Sequence, residues 1–299
     1  MSDKETPPNK QVNHRYYDNL YTDSRRILFP DQDWRQGPLR AHDVSAQVIR
    51  AFEKYNTHFS GNYLEIGSGP YSPLGVSTIM YLNGMEKCIA FDKNDSDHIR
   101  SAEALYDLLA NCALEPNHWN LTGQDRNKYF ERLYSFDISA IKNGNLAKGI
   151  AKTPLNYIIG DLENTPIASE TISYVSSRAT LEHIFDFRKG MQELYRIMKP
   201  GGISFHSIDL VDHRVYKDSK RYNMWSFLQE DKEWSDGLCN RLRSNEILEI
   251  ASKVGFNVDV LKTEKNTIPP KILCKFNKFY TSMDINELQI TSIECVFKK

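Results

Sequence analysis

Short apolar runs alternate with amphipathic stretches along most of this chain, beginning near residue 62. Tyr63-Leu-Glu-Ile66 is apolar enough for a first strand and ends in Gly67-Ser-Gly69-Pro70. Leu74 to Leu82 reads as a helix that Asn83-Gly84 stops. Cys88-Ile-Ala-Phe91 predicts a second strand ending at Asp92. From Ser96 to Ala113, Ile99, Ala102, Leu105, Leu108 and Leu109 fall on one helical face. The rhythm returns with Leu155 to Ile159, stopping at Gly160-Asp161, and with Ile172 to Ser176. A helix from about Leu181 to Met198 follows, ended by Lys199-Pro-Gly-Gly202 because proline cannot continue it and glycine accepts a left-handed turn. Ile203 to Ile208 is the fifth strand. A helix (Ser244 to Val254), a strand (Val258 to Leu261), a Pro269-Pro270 break and a last strand near Ile290 to Phe297 complete the pattern.

Strands separated by helices imply a doubly wound, mainly parallel α/β sheet covered on both faces. Two stretches interrupt it, at about 114–153 and 211–240, and are expected to be helical insertions. The second carries Tyr216, Tyr222, Trp225, Phe227 and Trp234, and is expected to wall or cover an acceptor site. The core of a small subdomain is the other use of such residues. Before the sheet, residues 1–60 are expected to form an arm or cap. Its first 40 or so carry Tyr16, Tyr17, Tyr21 and Trp34 among charges, and a helix follows over Asp43 to Tyr55. Residues 61–299 form the main domain.

Composition narrows the possible partners. The 38 Lys and Arg nearly cancel the 39 Asp and Glu, so no basic field calls for nucleic acid. The five cysteines are scattered without C-x-x-C spacing, which argues against a disulfide framework or structural zinc. No apolar run approaches the ~20 residues needed to span a bilayer, and the start lacks a signal peptide. A soluble, cytoplasmic protein is the expectation.

In open α/β sheets the ligand sits at the carboxyl ends of the strands, where the strand order reverses. Gly67 and Gly69, with Ser68 and Pro70, let the backbone bend tightly and pass close to a ligand. Asp92, at the next strand end, can accept both ribose hydroxyls of an adenosine. Asp161 and Leu162, at the third, suit an adenine edge and ring, and Ser177 stands at the end of the fourth. A dinucleotide site wants a third small residue where this chain has Ser72, between Tyr71 and Pro73. Glu65 suits a cationic amino-acid group better than a pyrophosphate. Ordinary turn glycines, a solvated acid at Asp92 and a helix cap at Asp161 are the plainer alternatives.

Leu64-Glu-Ile-Gly-Ser-Gly-Pro70, Phe91-Asp92, Gly160-Asp161, Leu181-Glu-His183 and Leu194-Tyr-Arg-Ile-Met-Lys-Pro-Gly-Gly202 together resemble the class I S-adenosylmethionine-dependent methyltransferases. The resemblance runs from about residue 60 onward, leaving out the two insertions. It implies a Rossmann-like, seven-stranded sheet with an antiparallel last strand, and S-adenosyl-L-methionine as cofactor. It departs from the family at Ile172-Ser173, where Phe-Asp is common.

A hydroxyl acceptor also needs a base. His213 is the first candidate, because Ile208-Asp-Leu-Val-Asp-His213 leaves strand five with Asp209 and Asp212 able to orient the ring. His183 is the second, while His206 reads as a core histidine. The Asp and His types suit a divalent metal, but their spacing matches no metal signature and none is expected. The Asp/His cluster, the aromatic insertion and the Asn240-Arg-Leu-Arg243 return are similar to methyltransferases of polysaccharide and glycoconjugate biosynthesis. That similarity implies O-methylation of a sugar or other small-molecule hydroxyl. The alternatives are an RNA or protein methyltransferase, a catalytically silent cofactor-fold binding protein, and a nicotinamide dehydrogenase that Ser72 disfavours.

Overall fold

Residue alternation along the strands builds the molecule. In the first strand, Tyr63 joins one apolar cluster while Leu64 and Ile66 join another, because successive side chains leave a strand on opposite faces. The computed structural model describes residues 37–55, 59–233, 235 and 237–299. Its strands are β1 (Asn62–Ile66), β2 (Lys87–Asp92), β3 (Leu155–Ile159), β4 (Ile172–Arg178), β5 (Met198–Asp209), β6 (Asn257–Lys265) and β7 (Ile290–Lys298). They form one seven-stranded sheet in the order β3-β2-β1-β4-β5-β7-β6. The pairs from β3 to β5 are parallel, and β7 runs antiparallel to both of its neighbours. This is the Rossmann-like methyltransferase fold expected from the sequence.

One face carries α1 (Pro38–Glu53), α2 (Gly75–Leu82) and α3 (His98–Leu114), packed over Tyr63, Cys88, Ala90 and Phe205. The insertion at 114–153 adds short helices, including α4 (Arg126–Leu133), and buries Trp119, Tyr129, Phe136 and Ile141 in the same cluster. The other face carries α5 (Phe187–Ile197) and α6 (Ser244–Val254) over Leu64, Ile89, Val175 and Phe297. Among the described residues no helix is long and apolar enough to cross a membrane. The aromatic arm expected before residue 37, and Trp234, lie outside the described residues.

Several boundaries differ from the sequence expectation for physical reasons. Helix α1 starts at Pro38, whose missing N–H costs nothing at a first helical position. The helix expected over 181–198 divides. Leu181–His183 is a 3₁₀ turn, and α5 begins only after Asp186, whose side chain accepts the Lys189 N–H as an N-cap. Helix α5 stops at Ile197, just before Lys199-Pro-Gly-Gly202, but those residues enter β5 rather than forming a free turn. The register with β4 shifts there, Gly201 has φ +78°, and the strand end exchanges backbone hydrogen bonds with Lys299.

The 211–240 insertion joins a stretch in which the sequence offers few signals. Trp225, Phe227 and Leu228 pack with Ile268, Phe276, Tyr280 and Leu288 into a third cluster. The Asn240-Arg-Leu-Arg243 return secures it. Arg243 is fully buried, donating to the carbonyls of Leu210, Glu287, Leu288 and Ile290, and Arg241 donates to those of Asp231 and Phe227. Asn240 Nδ2 donates to the Leu181 and Ile184 carbonyls, 2.9 Å each, which fixes the turn after β4.

Candidate functional site

The tips of β1 and β2 are tied together by the glycine bend. Gly67 N–H donates to the Phe91 carbonyl at 2.8 Å and Gly69 N–H to Asp92 Oδ2 at 2.8 Å. Gly67 and Gly69 both have positive φ, +75° and +78°, a region that costs a residue with Cβ about 1–2 kcal/mol. They differ in surroundings. A Cβ on Gly67 would fall 2.0 Å from Thr180 Oγ1, whereas one on Gly69 would meet no protein atom within 4 Å.

This bend opens into a cavity of about 840 Å³ between β1 and β4, at the switch in strand order. Every residue expected at the cofactor lines it: Glu65, Gly67, Ser68, Gly69, Pro70, Asp92, Asp161, Leu162 and Ser177. Helix α1 contributes the outer wall through Arg40, Ala41, Val44 and Gln47, which no sequence motif singles out. Asp92 is largely buried, with its other oxygen accepting Asn94 N–H at 2.9 Å. Each of its oxygens therefore keeps a lone pair for a further donor.

Glu65 is buried on the α2 side of the sheet, where it accepts a hydrogen bond from Ser77 Oγ at 3.3 Å. Burial pushes its carboxyl up to about 8, with Ser77 and the nearby Arg40 opposing the shift. Asp161 is more occupied than expected. One oxygen caps the Leu162–Asn164 turn through Glu163 N–H, and the other pairs with Lys93 at 2.9 Å. Those contacts hold its carboxyl below the usual range, the Glu163 bond first. The Lys93 pair is exposed, so a ligand amino group displaces at most about 1 kcal/mol of pairing there. Ser177 Oγ lies 2.8 Å from His206 Nδ1, and His206 is fully buried, its pKa lowered by that burial to about 3.

The candidate bases are brought together but play unequal parts. His183 lines the cavity; His213, Asp209 and Asp212 do not. The His183 and His213 rings stand edge to face, 4.9 Å apart. His183 Nδ1 lies 2.5 Å from the Leu238 carbonyl, which can only accept, so Nδ1 carries the proton and Nε2 presents its lone pair. Burial also lowers the His183 pKa and favours the neutral ring. Asp209 lies 3.3 Å from His213 Nε2 and accepts the Tyr216 hydroxyl at 2.7 Å. Asp212 instead caps the His213–Tyr216 turn and binds Arg214 through both oxygens, so it does not orient an imidazole. The aromatic insertion supplies this edge with Tyr216, while Trp225 and Phe227 serve the third cluster. Glu182, to which the sequence alone assigns no role, is buried beside Asp209 and His213, and its carboxyl is pushed up to about 8 by burial.

Residues 120–206 match the family model described as a methyltransferase domain. Solved structures with similar folds include the YcgJ protein from Bacillus subtilis, at 12% identity and a TM-score of 0.46, covering 86% of this chain and 98% of that one. An S-adenosylmethionine-dependent methyltransferase from Methanosarcina mazei matches at 15% identity and 0.46, covering 83% and 96%. A phosphoethanolamine N-methyltransferase from Haemonchus contortus, in complex with phosphomonomethylethanolamine and S-adenosylhomocysteine, matches at 15% and 0.43, covering 84% of this chain and 51% of that one. No curated protein matches significantly. These three TM-scores lie below 0.5, and the strand order itself carries the fold assignment.

The two glycines should respond differently to alanine. Gly69→Ala is expected to cost about 1–2 kcal/mol in denaturant unfolding. Gly67→Ala should cost clearly more, because the Thr180 clash adds to the same backbone strain. Equal costs would contradict the packing of Thr180 against the bend.

Proposed function

We propose that this chain, an S-adenosylmethionine-dependent methyltransferase by its strand order, matched domain and cavity chemistry, methylates a hydroxyl on a sugar, glycan or other small molecule, with a histidine as base. The cofactor's sulfonium supplies an electrophilic methyl group for direct displacement. The chain's residues fit such a ligand. Gly69 leaves open space where a Cβ would stand, Asp92 keeps acceptor capacity for ribose hydroxyls, and Leu162 offers an apolar surface for a base. Glu65 suits the ammonium of the amino-acid end, whose charge would offset the cost of burying a carboxylate there.

One observation carries the hydroxyl reading: His183 borders the cofactor cavity with its Nδ1 held by a carbonyl. Its Nε2 is thereby the acceptor for a hydroxyl proton, a contribution of about 10²–10⁴-fold. His213, the first choice on sequence grounds, stands behind it. The polar and apolar walls of a cavity of about 840 Å³ suit a small-molecule or sugar acceptor beside the cofactor, within the usual range of such sites. The near-neutral charge balance does not favour RNA.

Binding of S-adenosylhomocysteine, followed by calorimetry, should strengthen as pH rises toward about 8 and level off above it. The free Glu65 carboxyl must lose its proton to meet the ammonium, so binding releases one proton below that pH. Glu65→Gln should abolish both effects; an affinity flat over this range in the parent protein would refute the ammonium assignment.

The acceptor is tested by incubating the protein and methyl-labelled cofactor with fractionated cell extract. Label is expected in a glycan or small-molecule fraction, and His183→Ala should lower turnover by about 10²–10⁴-fold while cofactor binding stays intact. Label confined to RNA or protein, or full turnover in the variant, would overturn the reading.

A further inference from the structure

The turn after β4 and the tip of β5 bring together three side chains that methyl transfer alone does not account for. Glu182 is 3% exposed, and neither of its carboxyl oxygens has a well-formed hydrogen bond among the described residues, although the backbone N–H groups of Thr180, Glu182 and Asp209 lie near it and partly offset the upward push of burial. A buried carboxylate left so is costly and calls for a specific partner. His213 Nε2 is also shielded and without a hydrogen bond among the described residues, 3.9 Å from Glu182 Oε1 and 3.3 Å from Asp209 Oδ2. The three ligand atoms all lie within 4.8 Å of one another.

We propose that Glu182, Asp209 and His213 bind one divalent cation of the Mn²⁺ or Zn²⁺ type at the histidine edge of the cavity. Two carboxylates and an imidazole are a ligand set for such ions. Metal bonds of about 2.0–2.2 Å set neighbouring ligand atoms roughly 3–3.6 Å apart, so the set closes with small side-chain shifts. Burial favours a proton on Glu182, and that proton is the competitor that the ion must displace to meet both carboxylates. A doubly charged ion meets both.

The surroundings are built to hold these ligands. The Tyr216 hydroxyl and the Val211 N–H orient the Asp209 carboxylate from opposite oxygens, 2.7 and 3.0 Å away. Asn240 N–H donates to the Glu182 carbonyl at 2.7 Å and secures the turn that carries it. Outer contacts of this kind commonly set metal affinity. His183 and Cys239 approach the same imidazole within 4.8 Å, so the ion would sit behind the wall that His183 forms, not in the cavity itself.

The test uses the full chain, stripped with a chelator and titrated separately with Mn²⁺, followed by loss of its free-ion paramagnetic resonance signal, and with Zn²⁺, followed by calorimetry. One ion should bind per chain. Glu182→Gln and His213→Ala should each weaken binding about 100-fold or more, and Tyr216→Phe about 10-fold. His98→Ala, an exposed histidine elsewhere, should change nothing. Melting curves of each variant report whether it folds; should Glu182→Gln fail to, Asp209→Asn is read in its place. No stoichiometric binding of either ion, or binding that survives loss of the ligands in a folded variant, overturns the proposal. Ion binding is scored without cofactor or turnover, so its failure leaves the methyl-transfer reading standing, and the reverse.

Discussion

The cofactor cavity depends on a backbone bend that favours glycine, locked to the neighbouring strand. Gly67 and Gly69 turn the chain at the end of β1 with positive φ, and their N–H groups are received by the Phe91 carbonyl and the Asp92 carboxylate at the end of β2. The same contacts that stabilise the bend aim Asp92 inward. Thr180 closes against Gly67 from the β4 side, so three strand ends meet in one rigid corner. Ligand position then follows from the sheet rather than from loops.

A second constraint works at the opposite rim. Asn240 and Arg243 spend their donors on backbone carbonyls from distant segments: the turn after β4, the end of β5 and the approach to β7. Each carbonyl so satisfied would otherwise cost about 1–3 kcal/mol if buried without a partner. The return segment thus fixes the loops that present Glu182, His183, Asp209 and His213. Chemistry at this edge is held in place from outside the sheet.

How much of this was readable in the sequence follows from the range of the contacts. The strands, the glycine bend, Asp92 and the antiparallel last strand depend on local pattern and strand-end position, and they are found where the pattern puts them. The division of the 181–198 helix is announced locally only by the Asp186 N-cap, while the turn before it is held by Asn240, some sixty residues away. Trp225 and Phe227 could by sequence wall an acceptor or core a small subdomain; they do the second, with partners at 268–288, in a stretch with little apolar periodicity. Asp212 and Asp209 are indistinguishable in sequence as neighbours of His213; only the fold gives the first to Arg214 and the second to Tyr216. Glu182 sits inside a recognisable motif, yet its burial without a partner is visible only in three dimensions.

Whether the bend and its carboxylates hold an adenosyl cofactor is tested most directly by calorimetric titration with S-adenosylhomocysteine. The parent protein is expected to bind one equivalent. Asp92→Ala, losing two charge-assisted hydrogen bonds to the ribose of roughly 1.5 kcal/mol each, is expected to bind about 100-fold more weakly. It should still fold, with a melting temperature lowered by loss of the Gly69 and Asn94 N–H bonds. No binding by the parent protein, or equal binding by the two, would contradict the account.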